Sequence, residues 1–150
     1  MSIMVDLKST DTNNSSSFSF PADKKEVGRV VDFINGFLEK KDMNSKIISQ
    51  IDIAVDEICS NIFNYAYKDK KGQVLVEISY KDNAITIRFV DTGVKFNPLE
   101  KEDPDVNLSL QERKVGGLGI YLVKQLMDDV KYEYSLKNEN ILTVIKKVGE

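Results

Sequence analysis

The stretch VLVEISYKDNAITIRFVD, residues 74–91, alternates apolar and polar side chains on either side of a Lys-Asp-Asn break. A period of two belongs to strands with one buried face, and so short a polar break makes them an antiparallel hairpin. A lone hairpin cannot cover its own apolar face, so it demands a second layer. VKYEYSL and ILTVIKK repeat the pattern around KNEN near the C-terminus. Two hairpins commit the chain to a largely antiparallel sheet with apolar material packed on one side.

That material is helical. Val27, Val30, Val31, Ile34 and Leu38 recur at helical spacing over residues 24–40, with Gly36 as a slight weakness. Ile47, Ile51, Ala54, Val55, Ile58 and Ile62 mark a second helix over residues 44–67, and Ile120, Val123, Leu126 and Met127 a third. The order α-α-β-β-loop-α-β-β predicts an α+β two-layer sandwich, a mostly antiparallel mixed sheet with helices on one face. Residues 1–17, which include the polar run STDTNNSSS, read as a flexible lead-in or an edge strand. Residues 18–150 read as a single domain, long enough for a core without staples. Residues 97–114 are polar, hold two prolines and keep little period, which suits a lid or binding loop.

Composition then removes whole classes of chemistry. The chain has no histidine, which excludes Ser-His-Asp triads, Cys-His pairs, histidine zinc sites and a phosphoacceptor histidine. A single cysteine, Cys59, rules out an internal disulfide and fits a reducing cytoplasm. A net charge of −3 gives no general attraction to nucleic acid or acidic lipid. No apolar run reaches membrane-span length and the first residues lack a signal-peptide pattern, so a cytoplasmic protein without membrane or direct nucleic-acid contact is expected.

Three clusters carry candidate chemistry. Glu57 and Asn61 in DEICSNIFNYAY stand one helical turn apart, at the border of the apolar stripe. They are either an exposed surface pair or a carboxylate and an amide oxygen, the groups suited to accepting a proton and to holding Mg²⁺. Asp91 closes a strand, with Gly93 two positions on; this is either a strand-ending turn or an acceptor for an exocyclic amino group beside a glycine that admits a flat ring. Gly116, Gly117 and Gly119 crowd the start of the third helix, where a side-chain cap would be ordinary. They form either a turn or a place where backbone N–H groups meet phosphate.

Taken in this order, ExxxN on a helix, DxG after a strand and GGLG opening a helix resemble the three boxes of the GHKL ATPases, the superfamily of gyrase, heat-shock chaperone ATPases and histidine kinases. The resemblance spans residues 20–147 and, through VDEICSNIFNYAY, is closest to the bacterial anti-sigma factor serine kinases. It implies a Bergerat-type fold and ATP and Mg²⁺ as cofactors. It implies Glu57 as catalytic base and Asn61 as magnesium ligand. Asp91 and Gly93 would meet adenine, Gly117, Leu118 and Gly119 the phosphates, and Thr143 would assist the adenine contact. It implies phosphorylation of a serine on an anti-anti-sigma (STAS-like) partner and binding of a sigma factor, and it leaves a homodimer open. The alternative is a non-catalytic, ATP-gated binding module. Two departures stand out: Lys95 replaces the second glycine of the DxGxG box, and no arginine on the first helix falls in register with the serine kinases, Arg29 lying about two positions early.

Overall fold

The computed structural model describes residues 9–11, 14–66, 72–100 and 117–149. Six strands form one sheet: β1 (Ser9–Asp11), β2 (Ser15–Pro21), β3 (Gln73–Lys81), β4 (Ala84–Asp91), β5 (Asp129–Tyr134) and β6 (Asn140–Lys147). Their spatial order is β1-β2-β3-β4-β6-β5. Three helices accompany it, α1 (Val27–Lys40), α2 (Ser45–Asn61) and α3 (Gly117–Leu126). The two-layer α+β reading holds.

All five strand pairings are antiparallel, so the mixed character expected of the sheet is absent among the described residues. The reason is the helix count. Between β2 and β3 the chain runs out along α1 and back along α2, so it re-enters the sheet at the end it left. Of the two readings of the polar run, the described part follows the edge-strand one: Ser9–Asp11 and the serines from Ser15 onward are strand, with β1 at the sheet edge. Pairing with β3 satisfies the β2 backbone whatever its side chains, and only Phe18 and Phe20 need a core. They gain one through an aromatic cluster with Phe33 of α1, with ring centroids 4.7 to 6.2 Å apart.

The sheet's inner face is set by alternation. Val74, Val76 and Ile78 of β3 and Ile85, Ile87 and Phe89 of β4 are buried, as are Leu142 and Val144 of β6. Against them pack Val30, Ile34 and Leu38 of α1, Ile51, Val55 and Ile58 of α2, and Ile120 and Val123 of α3. On the outer face Glu77 and Arg88 pair at 2.8 Å, side by side across β3 and β4. Local chemistry fixes the element ends. Asn44 caps α2 by accepting from the Ile47 N–H at 2.9 Å. Asp82 and Asn83 hold φ of 53° and 59°, the left-handed pair that a two-residue hairpin turn requires.

Candidate functional site

The apolar row Ile85, Ile87, Phe89 of β4 ends in Asp91, so strand alternation alone carries a carboxylate into the interior. Asp91 is 4% exposed. A carboxylate so placed is costly unless donors meet it, and two do. Its Oδ1 accepts from the Gly93 N–H at 2.9 Å and from Asn140 Nδ2 at 2.9 Å. Burial pushes its pKa up, and these two bonds pull against that rise. The bond to Gly93 makes the Asp-Thr-Gly segment a side-chain-closed turn as well as a polar floor.

Asn61, the last residue of α2, lines one small cavity with Asp91, Ile58, Phe96, Tyr132 and Asn140. The cavity measures about 20 Å³, room for roughly one water. Phe96 and Pro98 also line it, and at this volume it does not hold a planar base. Directly after Asn61 the backbone widens into a π-turn, Ile62–Ala66, a feature that often marks functional positions in helices. Asn61 supplies one hard oxygen donor. Mg²⁺ accepts so sparse a protein contribution because it keeps waters and phosphate oxygens as its other ligands. The residues present therefore fit a nucleotide-borne Mg²⁺, and among the described residues no three acidic or cysteine side chains converge into a metal cage.

Glu57, one turn before Asn61, reaches the first turn of α3. A Cβ built on Gly119 would overlap the Glu57 carboxylate, so glycine at this position is what lets the two elements meet. Burial raises the Glu57 pKa, and the adjacent Asp56 adds to the rise. Gly117, Leu118 and Gly119 make the first turn of α3, where backbone N–H groups lack partners within the helix. Gly116, Arg113, Lys114 and most of the expected lid lie outside the described residues. The structure thus draws the Glu57–Asn61 turn, the Asp91–Gly93 turn and the start of α3 to one end of the sandwich.

Thr143 does not join them. It pairs with Arg88 of β4 and Lys131 of β5 and stands on the outer face, an odd number of residues along β6 from Asn140. A one-residue step along a strand reverses the face, so the expected adenine contact from Thr143 is withdrawn. The residue beside Asp91 is Asn140, directly across the β4–β6 ladder and 5% exposed. Sequence reasoning read it as part of the KNEN turn. Lys95 lies over the Tyr134 ring, 5.2 Å from its centroid. Arg29 pairs with Glu26 and sits 5.7 Å from the Phe20 ring centroid.

Residues 20–146 match the model of the histidine kinase-like ATPase domain family. Proteins named serine-protein kinase RsbW from Bacillus thuringiensis (strain Al Hakam), Bacillus cereus (strain AH820) and Bacillus anthracis are similar. Each is 34% identical over 88 residues, which cover 56% of this chain and 55% of the relative. The chain spans about half the length of the curated relatives it matches.

Proposed function

The chain belongs to the histidine kinase-like ATPase family, and on that premise we propose that it is an ATP- and Mg²⁺-dependent serine/threonine protein kinase of the anti-sigma-factor type. Its substrate would be a serine of an anti-anti-sigma (STAS-like) protein, and a sigma factor its second partner. The observation that carries this reading is the convergence of Asn61, Asp91 and the Glu57–Gly119 contact at one end of the fold. The printed name of the relatives, serine-protein kinase, supports the reaction class. The lone buried thiol of Cys59, with its pKa pushed up to about 12, is an inert group that suits the cytoplasm.

In this reading Asp91 accepts from the adenine amino group, and Gly93 leaves room for the ring. Asn61 offers its carboxamide oxygen to Mg²⁺, whose charge would offset that of the phosphates. The first turn of α3 presents backbone N–H groups to phosphate oxygens. Glu57 takes the proton of the incoming serine hydroxyl, whose oxygen bonds to the γ-phosphorus as the bond to ADP breaks.

Calorimetry with ATP and GTP tests the base assignment, because guanine carries a carbonyl where adenine carries its amino group. ATP should bind more tightly, and Asp91→Asn should weaken it by about 1–3 kcal/mol. Equal affinities for the two nucleotides would remove the adenine assignment. Transfer of radiolabelled phosphate to a co-purified partner tests the kinase. A second reading, an ATP-gated binding module without catalysis, is favoured by Arg29 being engaged by Glu26 and Phe20. It prevails if the wild type transfers no phosphate while ATP still changes partner affinity.

A further inference from the structure

Asn140 makes more polar contacts than its place in a turn-like tetrapeptide would suggest. Its Nδ2 donates to Asp91 Oδ1 at 2.9 Å, to the Val94 carbonyl at 3.0 Å and, more weakly, to the Gly93 carbonyl at 3.4 Å. Its Oδ1 accepts from the Phe96 N–H at 3.0 Å and from the Tyr132 hydroxyl. The backbone partners settle which end of the amide is which. Two carbonyls face one end and an N–H faces the other, so the flip that would leave Asn140 without a donor toward Asp91 is excluded. The group meeting Asp91 is an N–H.

We infer that Asn140 is a positioning residue of the base pocket. It fills one oxygen of Asp91 so that the other is left as the acceptor for a purine amino group, and it ties residues 93–96 beside that oxygen. This deepens the nucleotide reading and rests on it. Among the described residues both Asp91 hydrogen bonds end on Oδ1, from Gly93 and from Asn140, which leaves Oδ2 for a ligand. A carboxylate clamped in this way offers an acceptor and no donor, which favours an amino-bearing edge over a carbonyl-bearing one. Asn140 touches no reacting atom; its effect reaches the ligand through Asp91.

The test exploits what a purely structural asparagine would not change, the preference for ATP over GTP, with the titration of Asp91 followed beside it. Tyr132 of β5 faces the pair, with Tyr134 and Glu100 around it and Lys95 over Tyr134, while α2 contributes the neutral Asn61. Burial holds the Tyr132 hydroxyl above its usual range, so it stays neutral over the pH span used. Asp91 should be followed by carboxyl-carbon NMR in the nucleotide-free protein, with ATP and GTP affinities measured by calorimetry alongside. In Asn140→Ala a donor to the carboxylate is lost, so the Asp91 midpoint should rise. ATP affinity should fall about 10-fold or more, and the ATP preference over GTP should narrow.

Asn140→Asp keeps the size and, while protonated, the donor. It should bind ATP nearly as the wild type does at mildly acidic pH and lose affinity as the pair is forced to ionise. Each value is taken as a ratio to the wild type at the same pH, so the titration of the nucleotide cancels. This second variant carries the test if the alanine variant does not fold. If ATP binds but the preference for ATP over GTP moves in neither variant, the inference is overturned while the nucleotide reading stands, whatever the Asp91 midpoint does. If the wild type binds neither ATP nor GTP, the nucleotide reading fails and the inference falls with it.

Discussion

Gly119 lies against the Glu57 carboxylate so closely that any side chain would displace the acid. The atoms in the way belong to the far end of a flexible side chain, so Gly119→Ala should leave the fold intact. Alanine is favoured over glycine in a helix by about 1 kcal/mol, so thermal unfolding should occur at an unchanged or slightly higher temperature. Under the proposed function, transfer to the partner should drop nonetheless, because Glu57, the proposed base, is pushed aside. A variant that melts early and binds no ATP would instead mark Gly119 as purely structural. Glu57→Gln complements it: ATP still binds, and transfer falls by about 10²- to 10⁴-fold if Glu57 is the base. Wild-type transfer rates in that variant would remove the assignment. These residues were legible in the sequence because each cluster is local, within a helical turn or a strand-ending turn. Asn140 was not. Its place across from Asp91 comes from the pairing of β4 with β6, and no local pattern reveals that β6, not β5, is the second neighbour of β4. The Thr143 expectation failed for the related reason that a strand has two faces and an error of one residue selects the wrong one.

Elements whose signal is periodic and whose ends are chemically marked were readable to within a few residues. Alternation on both sides of Lys81, Asp82 and Asn83 located β3 and β4, and the turn repays closer use. Asn83 holds φ of 59°, a region that asparagine tolerates and alanine enters at a cost of roughly 1–2 kcal/mol. Asn83→Ala should therefore lower stability in urea unfolding by about that amount, and Asn83→Gly should recover most of it. Equal loss in both variants would point to the Tyr80 hydroxyl, which donates to Asn83 Oδ1, as the true source. β2 was harder to read because Ser15, Ser16 and Ser17 have little strand propensity, and their pairing with Ser79, Ile78 and Glu77 overrides it. Local composition left a flexible lead-in and an edge strand equally open, and the tertiary contact decides between them.

At the scale of the molecule, the three described carboxyls whose titration is shifted are pushed in one direction. Burial raises Asp52, Glu57 and Asp91 alike. A carboxyl whose folded pKa is raised binds more protons in the folded state, so its contribution to stability is complete below the unfolded value and is lost as pH rises through the folded one. For Asp52 that loss begins around its ordinary value of 3.8 and continues upward. Stability should therefore be higher at mildly acidic pH than at neutrality. Asp52 offers the sharpest check, because it sits between α2 and α1 with its Oδ2 accepting from Asn35 Nδ2 at 3.2 Å. Asn35 Oδ1 and Asp52 Oδ1 are both buried without a hydrogen-bond partner among the described residues. A proton on Asp52 would let one oxygen donate to the other, and burial together with nearby Asp32 and Glu39 favours that proton. Asp52→Asn supplies the same donor permanently and carries no charge. It should raise the melting temperature at pH 7 by about 2–4 °C, the shift expected for one recovered hydrogen bond in a chain of this length. The gain should shrink as pH falls through the raised Asp52 midpoint, where the wild type takes up its own proton. A lower melting temperature for Asp52→Asn at pH 7 would mean that the ionised carboxylate, rather than the proton between the two helices, is what the fold requires.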